Sequence, residues 1–183
     1  MQWRNSSARY GLVSMLLHWG VAVAVFGLFG LGFWMVGLDY YSAWRQTAPA
    51  LHKDIGLLLL AVMLLRVLWR FLSPPPPVLA SYGALTRLGA KLGHGLLYLG
   101  LFAVMISGYL ISTADGRPIS VFGLLQVPAL ITGIPDQADV AGAVHKYLAW
   151  GLVIFSGLHA LAALKHHFLD RDATLSRMLG RAR

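Results

Sequence analysis

The 183-residue chain contains no cysteine. That absence excludes disulfides, thiolate-held zinc, iron–sulfur clusters and the attachment motif of a covalent c-type haem. Charge is scarce as well, 12% of residues against 57% that are apolar. The mean hydropathy of +0.65 is too high for a soluble globule and rules out disorder. The few charges are unequal in sign, 15 Lys and Arg to 7 Asp and Glu. A net charge of +8 would suit nucleic acid, but the basic residues form no amphipathic or aromatic-laced patch. They stand at the ends of apolar runs, where membrane topology requires them, so the expected partner is a lipid bilayer and not a nucleic acid.

The apolar runs predict spans at about residues 12–36, 50–72, 92–112 and 145–168, each close to the roughly 20 residues that cross a bilayer. The first carries no charge and is followed by no small-residue cleavage site, so it reads as an uncleaved span rather than a signal peptide. Pro74 to Pro77 end the second, because proline removes donors and blocks the helical turn. The short connections leave no room for a separate soluble domain. The expectation is a single all-α integral-membrane domain over residues 1–183, folded as a transmembrane four-helix bundle. The N-terminal segment, the second loop and the C-terminal tail, taken with Arg66 and Arg70 and ending at Arg183, hold 11 basic residues against 2 acidic ones. The opposite side holds 4 against 5. The positive-inside rule therefore puts both termini in the cytoplasm. The third loop is the longest, and its apolar stretch from Ile119 to Ile134 reads as a lid in the outer interface.

Seven histidines stand out in so apolar a chain, since ionisable side chains in hydrocarbon are costly and usually face the bundle interior. His145 and His159 are 14 residues apart on the fourth span, about 21 Å along the axis and about 40° short of four whole turns, so they share one face at opposite ends. His18 on the first span matches the depth of His159, and His52 on the second matches that of His145. Two bis-histidine pairs are what two six-coordinate haems in a four-helix bundle need. A His-rich metal site, a proton relay or unrelated structural histidines fit the spacing too. Gly56 and Gly11, one and two turns from His52 and His18 on their faces, leave out bulk where a macrocycle would pass. Arg66 and Arg70 fall at the level of His18 and His159, where they would pair with haem propionates or simply snorkel and set topology.

The same residues carry a resemblance. SMLLHW at Ser14–Trp19, LHKDIG at Leu51–Gly56, LLRVLWRF at Leu64–Phe71, GHGLLYL at Gly93–Leu99, VHKYLA at Val144–Ala149 and GLHALAALKHH at Gly157–His167 together resemble the bacterial cytochrome b561 family of four-helix diheme membrane cytochromes. The resemblance implies two haem b groups, their irons ligated by His18 with His159 and by His52 with His145. It also suggests the branch that oxidises superoxide at the outer face of the bacterial inner membrane and reduces ubiquinone, with His166 associated with the quinone. The alternative within the family is an electron conduit between the quinol pool and a redox partner protein, without superoxide turnover. A non-haem metal or proton transporter using the same histidines is the reading from another class.

His166 lies seven residues beyond His159, within about 20° of the same face and about 10 Å nearer the cytoplasm, and histidine can relay a proton to a reduced quinone. His167 is turned about 100° away and reads as interfacial. His94 has no ligand partner left, so it touches a quinone or a propionate, or only packs. Lys53 and Lys146 directly follow the two outer histidines, and Arg117 lies in the loop that would fold over them. The three would steer an anion, or merely mark the membrane boundary.

Overall fold

The computed structural model describes residues 2–181; Arg183, counted above with the basic tail, lies outside them. Four long helices dominate: α1 (Leu12–Met35), α2 (Thr47–Leu72), α3 (Ala84–Ser112) and α4 (Gln137–Phe168). Each is long and apolar enough to cross a membrane. A short α5 (Thr174–Met178) follows, and a two-stranded hairpin, β1 (Ile119–Val121) and β2 (Leu125–Val127), lies between α3 and α4. Pro49 sits in the first turn of α2, where a missing N–H costs nothing, and α2 stops at Leu72, just before Ser73 and the four prolines.

Helices α3 and α4 each start eight residues before the apolar run that marks them in sequence, at Ala84 and Gln137. The apolar run measures hydrocarbon, whereas the helix continues through polar residues that contain no proline. Asp139 in the first turn of α4 and Lys165, His166 and His167 in its last turn complement the helix dipole. The third loop is more structured than a plain apolar lid. Ile119 pairs with Val127 and Val121 with Leu125. Phe122 and Gly123 at φ of 49° and 71° make the mirror-image turn that suits the twist of a hairpin, and Leu124 N–H closes it on the Val121 carbonyl at 2.9 Å.

The chain forms two compact units, and all four long helices contribute to both: residues 1–22, 62–98 and 154–183 make one, residues 23–61 and 99–153 the other. In the first unit Met15, Val21 and Met63 are buried. Asn5 Nδ2 donates to the carbonyls of Ser73 (2.7 Å) and Pro74 (3.1 Å). The Arg177 guanidinium donates to those of Ser7 (2.7 Å), Ala8 (2.8 Å) and Pro77 (3.0 Å). The N-terminal segment, the proline loop and α5 are thereby stitched together. In the second unit Leu59, Leu101, Met105 and Ile119 are buried. Tyr109 OH donates to the Pro128 carbonyl and accepts Leu130 N–H, both at 2.7 Å, which ties the third loop to α3. Within each unit most large apolar side chains stay exposed, Leu64 and Leu161 in the first, Val23 and Phe33 in the second. A helix whose apolar side chains face outward is stable only with hydrocarbon around it.

Candidate functional site

Helices α2 and α4 bring His52 and His145 together, with ring centres 6.2 Å apart and planes at 75°. A metal ion about 2 Å from one nitrogen of each imidazole, on the line between the rings, would separate their centres by about 6.3 Å. The pair therefore fits bis-histidine ligation of one haem iron. His145 Nδ1 lies 2.9 Å from the Val104 carbonyl, which can only accept. The proton is thereby fixed on Nδ1 and Nε2 keeps its lone pair for a ligand. Ser107 Oγ stands 3.2 Å from the same nitrogen. His52 Nδ1 is buried without a hydrogen-bond partner.

The glycines that touch these imidazoles are not the two expected to clear a macrocycle, Gly56 and Gly11. A Cβ at Gly56 would meet nothing within 4 Å, and one at Gly11 would strike the backbone of Trp3 and Arg4, so Gly11 serves the fold of the N-terminal segment. A Cβ on Gly108 would instead lie 3.0 Å from His145 Cε1, and one on Gly32 3.2 Å from His52 Cε1. Each outer imidazole rests against a glycine of a neighbouring helix. Sequence gives these two no signal among 20 glycines, because helix rotation decides which of them faces a ring.

In the other unit His18 of α1 and His159 of α4 stand 6.4 Å apart between ring centres, with planes at 71°, which meets the same test. Arg66 Nη2 is 2.9 Å from His18 Nδ1. Guanidinium only donates, so this contact needs a lone pair on Nδ1. Ligation of a metal by Nε2 puts the proton on Nδ1 and releases Arg66. Arg66 so released would be free to pair with an acidic group of the cofactor, and Arg66 and Arg70 both lie over the Tyr98 ring, at 5.4 and 6.0 Å. His94 packs its ring 5.2 Å from that of His159 and donates Nδ1–H to the Ala90 carbonyl at 2.7 Å, which leaves its Nε2 uncommitted.

Lys53 and Lys146, which follow His52 and His145 in the chain, are exposed. Arg117 is exposed too, but its Nε lies 2.9 Å from Asp115 Oδ2, so its charge is offset locally.

His166, at the last turn of α4, lines a cavity of about 260 Å³ with Ser81, Tyr82, Gly83, Thr86, Lys165, Asp170 and Asp172. Its Nδ1 lies 2.8 Å from Asp170 Oδ2 and 2.9 Å from Asp172 Oδ2. Both oxygens stand off the line of an N–H bond, so neither contact is a hydrogen bond. Lys165 Nζ sits on both oxygens of Asp170, at 2.8 and 2.7 Å. The Tyr82 ring lies against His166 at 5.0 Å, and its hydroxyl donates to Asp172 Oδ2 at 2.9 Å. Burial holds the Tyr82 phenol above its ordinary range, so it stays neutral. Burial works against ionisation of Asp172 also, but hydrogen bonds from Thr174 and Tyr82 outweigh it and leave the carboxyl below its usual value. His167 lies outside this group and packs on Phe168 at 4.9 Å. Tyr82, Asp172 and Thr174 were not anticipated as site residues; the one sequence signal is an Asp two residues before a Thr, a local turn signature.

Four apolar helices carrying paired imidazoles at iron-ligating separation define a membrane cytochrome b. The family model for prokaryotic cytochrome b561 matches residues 9–181, and the chain belongs to that family. It is 56% identical over 182 residues to Cytochrome b561 homolog 2 of Escherichia coli K12, which covers 100% of this chain and 97% of that protein. It is 34% identical over 143 residues to a Yersinia pestis protein named "Probable superoxide oxidase CybB", 78% of this chain and 79% of the other. A second Escherichia coli K12 protein, Cytochrome b561 homolog 1, is 24% identical over 177 residues. The chain is thus a multi-pass membrane protein of the electron-transfer class that binds b-type haem.

Proposed function

We propose that this protein carries two haem b groups in one membrane domain, oxidises superoxide on the periplasmic side of the inner membrane and reduces ubiquinone on the cytoplasmic side, where both termini lie. When bound, b-type haem supplies a reversible one-electron carrier. His52 with His145 and His18 with His159 are the axial ligands, and Arg66 and Arg70 neutralise propionates on the side of His18. Two imidazole pairs at 6.2 and 6.4 Å are the observation that carries this reading.

Each of the chain's own groups has a task. Lys53 and Lys146 raise the local concentration of a small anion beside His52 and His145. Arg117, already paired with Asp115, adds less. The cavity beside His166 is smaller than the roughly 300–1,000 Å³ of a drug-sized pocket, which suits a single quinone ring whose isoprenoid tail stays in lipid. His166 Nε2, the ring nitrogen not faced by the carboxylates, gives a proton to a quinone oxygen as the ring is reduced. His94 stands by the His159 ring as a polar contact for the same end of the bundle. The likeness to a protein named as a superoxide oxidase supports the choice of donor.

The test is a coupled assay on purified, haem-loaded protein, with enzymatically generated superoxide, a short-tailed ubiquinone and added dismutase as control. Ubiquinone reduction that dismutase abolishes is the expected result, alongside a haem content of two per chain. Haem reduction by quinol with no response to superoxide would replace this reading by a conduit.

A further inference from the structure

Two carboxylates face the His166 ring, and they are not equivalent. Asp170 is 34% exposed and already neutralised by Lys165. Asp172 is 13% exposed, and among the described residues His166 is the one basic side chain within ion-pair distance of it. Three further bonds fix it. Tyr82 OH donates to Oδ2 at 2.9 Å, Thr174 N–H donates to Oδ1 at 2.8 Å, and the Asp172 N–H donates to the His166 carbonyl at 3.0 Å. Thr174 Oγ1 and Tyr82 OH are themselves hydrogen-bonded. The turn that brings Asp172 back onto α4 runs through Arg171 at φ of 53°, a left-handed conformation that a long side chain adopts only at some cost. Three segments of one unit, the end of α4, the loop before α3 and the turn before α5, thus converge to hold one carboxylate against one imidazole edge while Tyr82 covers its face.

We propose that Asp172 is a positioning residue for His166, held by Tyr82 and Thr174. Its carboxylate compensates the charge of the protonated imidazole and turns Nε2, not Nδ1, toward the substrate. This rests on the reading of the His166 cavity as the quinone-reducing site, and it assigns the reason why that histidine is competent there. The overall step balances: two superoxide ions give up one electron each and become dioxygen, the quinone accepts both electrons, and two protons from cytoplasmic water complete two O–H bonds. His166 transfers one of those protons from Nε2 and regains it from solvent. In hydrolytic triads the orienting carboxylate accepts the histidine Nδ1–H; here Asp172 stands beside Nδ1 off the N–H line and acts by its charge and its fixed place against the ring edge.

Asp172→Asn keeps the shape and can still accept from Thr174, but removes the charge. In superoxide-driven ubiquinone reduction by the haem-loaded protein, it should lower kcat about 10- to 100-fold, part of the roughly 10²–10⁴-fold that a positioned general acid contributes. KM for the quinone should stay within about twofold, since the cavity walls are intact. Superoxide-driven haem reduction in quinone-free protein should be unchanged, and Asp172→Glu should recover part of kcat. Tyr82→Phe, which frees one anchor of the carboxylate, should show a smaller loss of kcat and serves should Asp172→Asn fail to assemble. Wild-type kcat in Asp172→Asn, or in Tyr82→Phe if that is the variant that assembles, overturns the proposal. So does a loss confined to KM, or no recovery with Glu. Wild-type protein that takes electrons from superoxide but reduces no ubiquinone overturns instead the reading of the cavity on which the proposal stands.

Discussion

His145 gives its Nδ1 proton to the carbonyl of Val104, 2.9 Å away on α3, and lies against Gly108 one turn further along that helix. One helix therefore sets both the tautomer and the position of a ligand carried by another. A Cβ 3.0 Å from His145 Cε1 forces either the ring or the helix to yield. Gly108→Val should thus lower occupancy of the haem held by His52 and His145 by about tenfold, as for loss of other groups that orient a metal ligand. Haem content and the reduced-minus-oxidised spectrum check this, and wild-type occupancy in Gly108→Val would remove that glycine as the seat of the His145 ring.

Ligand pairing predicts a pattern of spectral loss. His52→Ala and His145→Ala should delete the same haem component, and His18→Ala and His159→Ala the other, since each pair shares one iron by separation and unit. Potentiometric titration of the four variants reads this directly. Should His52→Ala and His159→Ala delete the same component, the pairs are wrong.

These pairs were legible because a membrane helix converts sequence separation into depth at a fixed rise, and imidazoles in hydrocarbon need a reason to be there. Depth matched His18 with His159 and His52 with His145 before any contact was visible. Rotation about the helix axis was not legible, and it is rotation that sets Gly32 and Gly108 against the imidazoles. Nor was the clamp on His166. Tyr82 and Asp172 are 90 residues apart, and they meet through a left-handed turn at Arg171 that no local pattern near a charged tail announces. The hairpin escaped notice because its strands are three residues each, too short for alternation to show.

The Asp172 carboxyl, held below its ordinary value of 3.8, makes the turn before α5 sensitive to acid. A depressed folded-state pKa contributes stability that is present above the unfolded value and is lost as pH falls through the folded one. Protection of the amides from residue 170 to 180, measured by hydrogen exchange and corrected for intrinsic rates, should therefore be full at pH 6 and fall off below about pH 4. Amides in the middle of α2 should not change over that range. Uniform protection of the turn down to pH 2 would remove Asp172 as its fastener.

A small anion meets no net attraction on the side opposite the termini, which holds 4 basic residues against 5 acidic ones. Local placement decides this rather than the total. Lys53 and Lys146 each follow an outer ligand and are exposed, whereas Arg117 spends its charge on Asp115. Two ammonium groups that close to the ligands act within a Debye length of about 8 Å at physiological salt, so they raise the encounter rate of an anion. Lys53→Gln combined with Lys146→Gln should lower the rate of haem reduction by superoxide about threefold and flatten its dependence on ionic strength. The haem spectrum should be intact. Arg117→Gln leaves Asp115 uncompensated, so it too should lower the rate, by less than the double-lysine variant because solvent screens a pair this exposed. Stopped-flow rates at low and high salt separate the two variants, and a double-lysine variant with the wild-type salt slope would leave both lysines as markers of the membrane boundary.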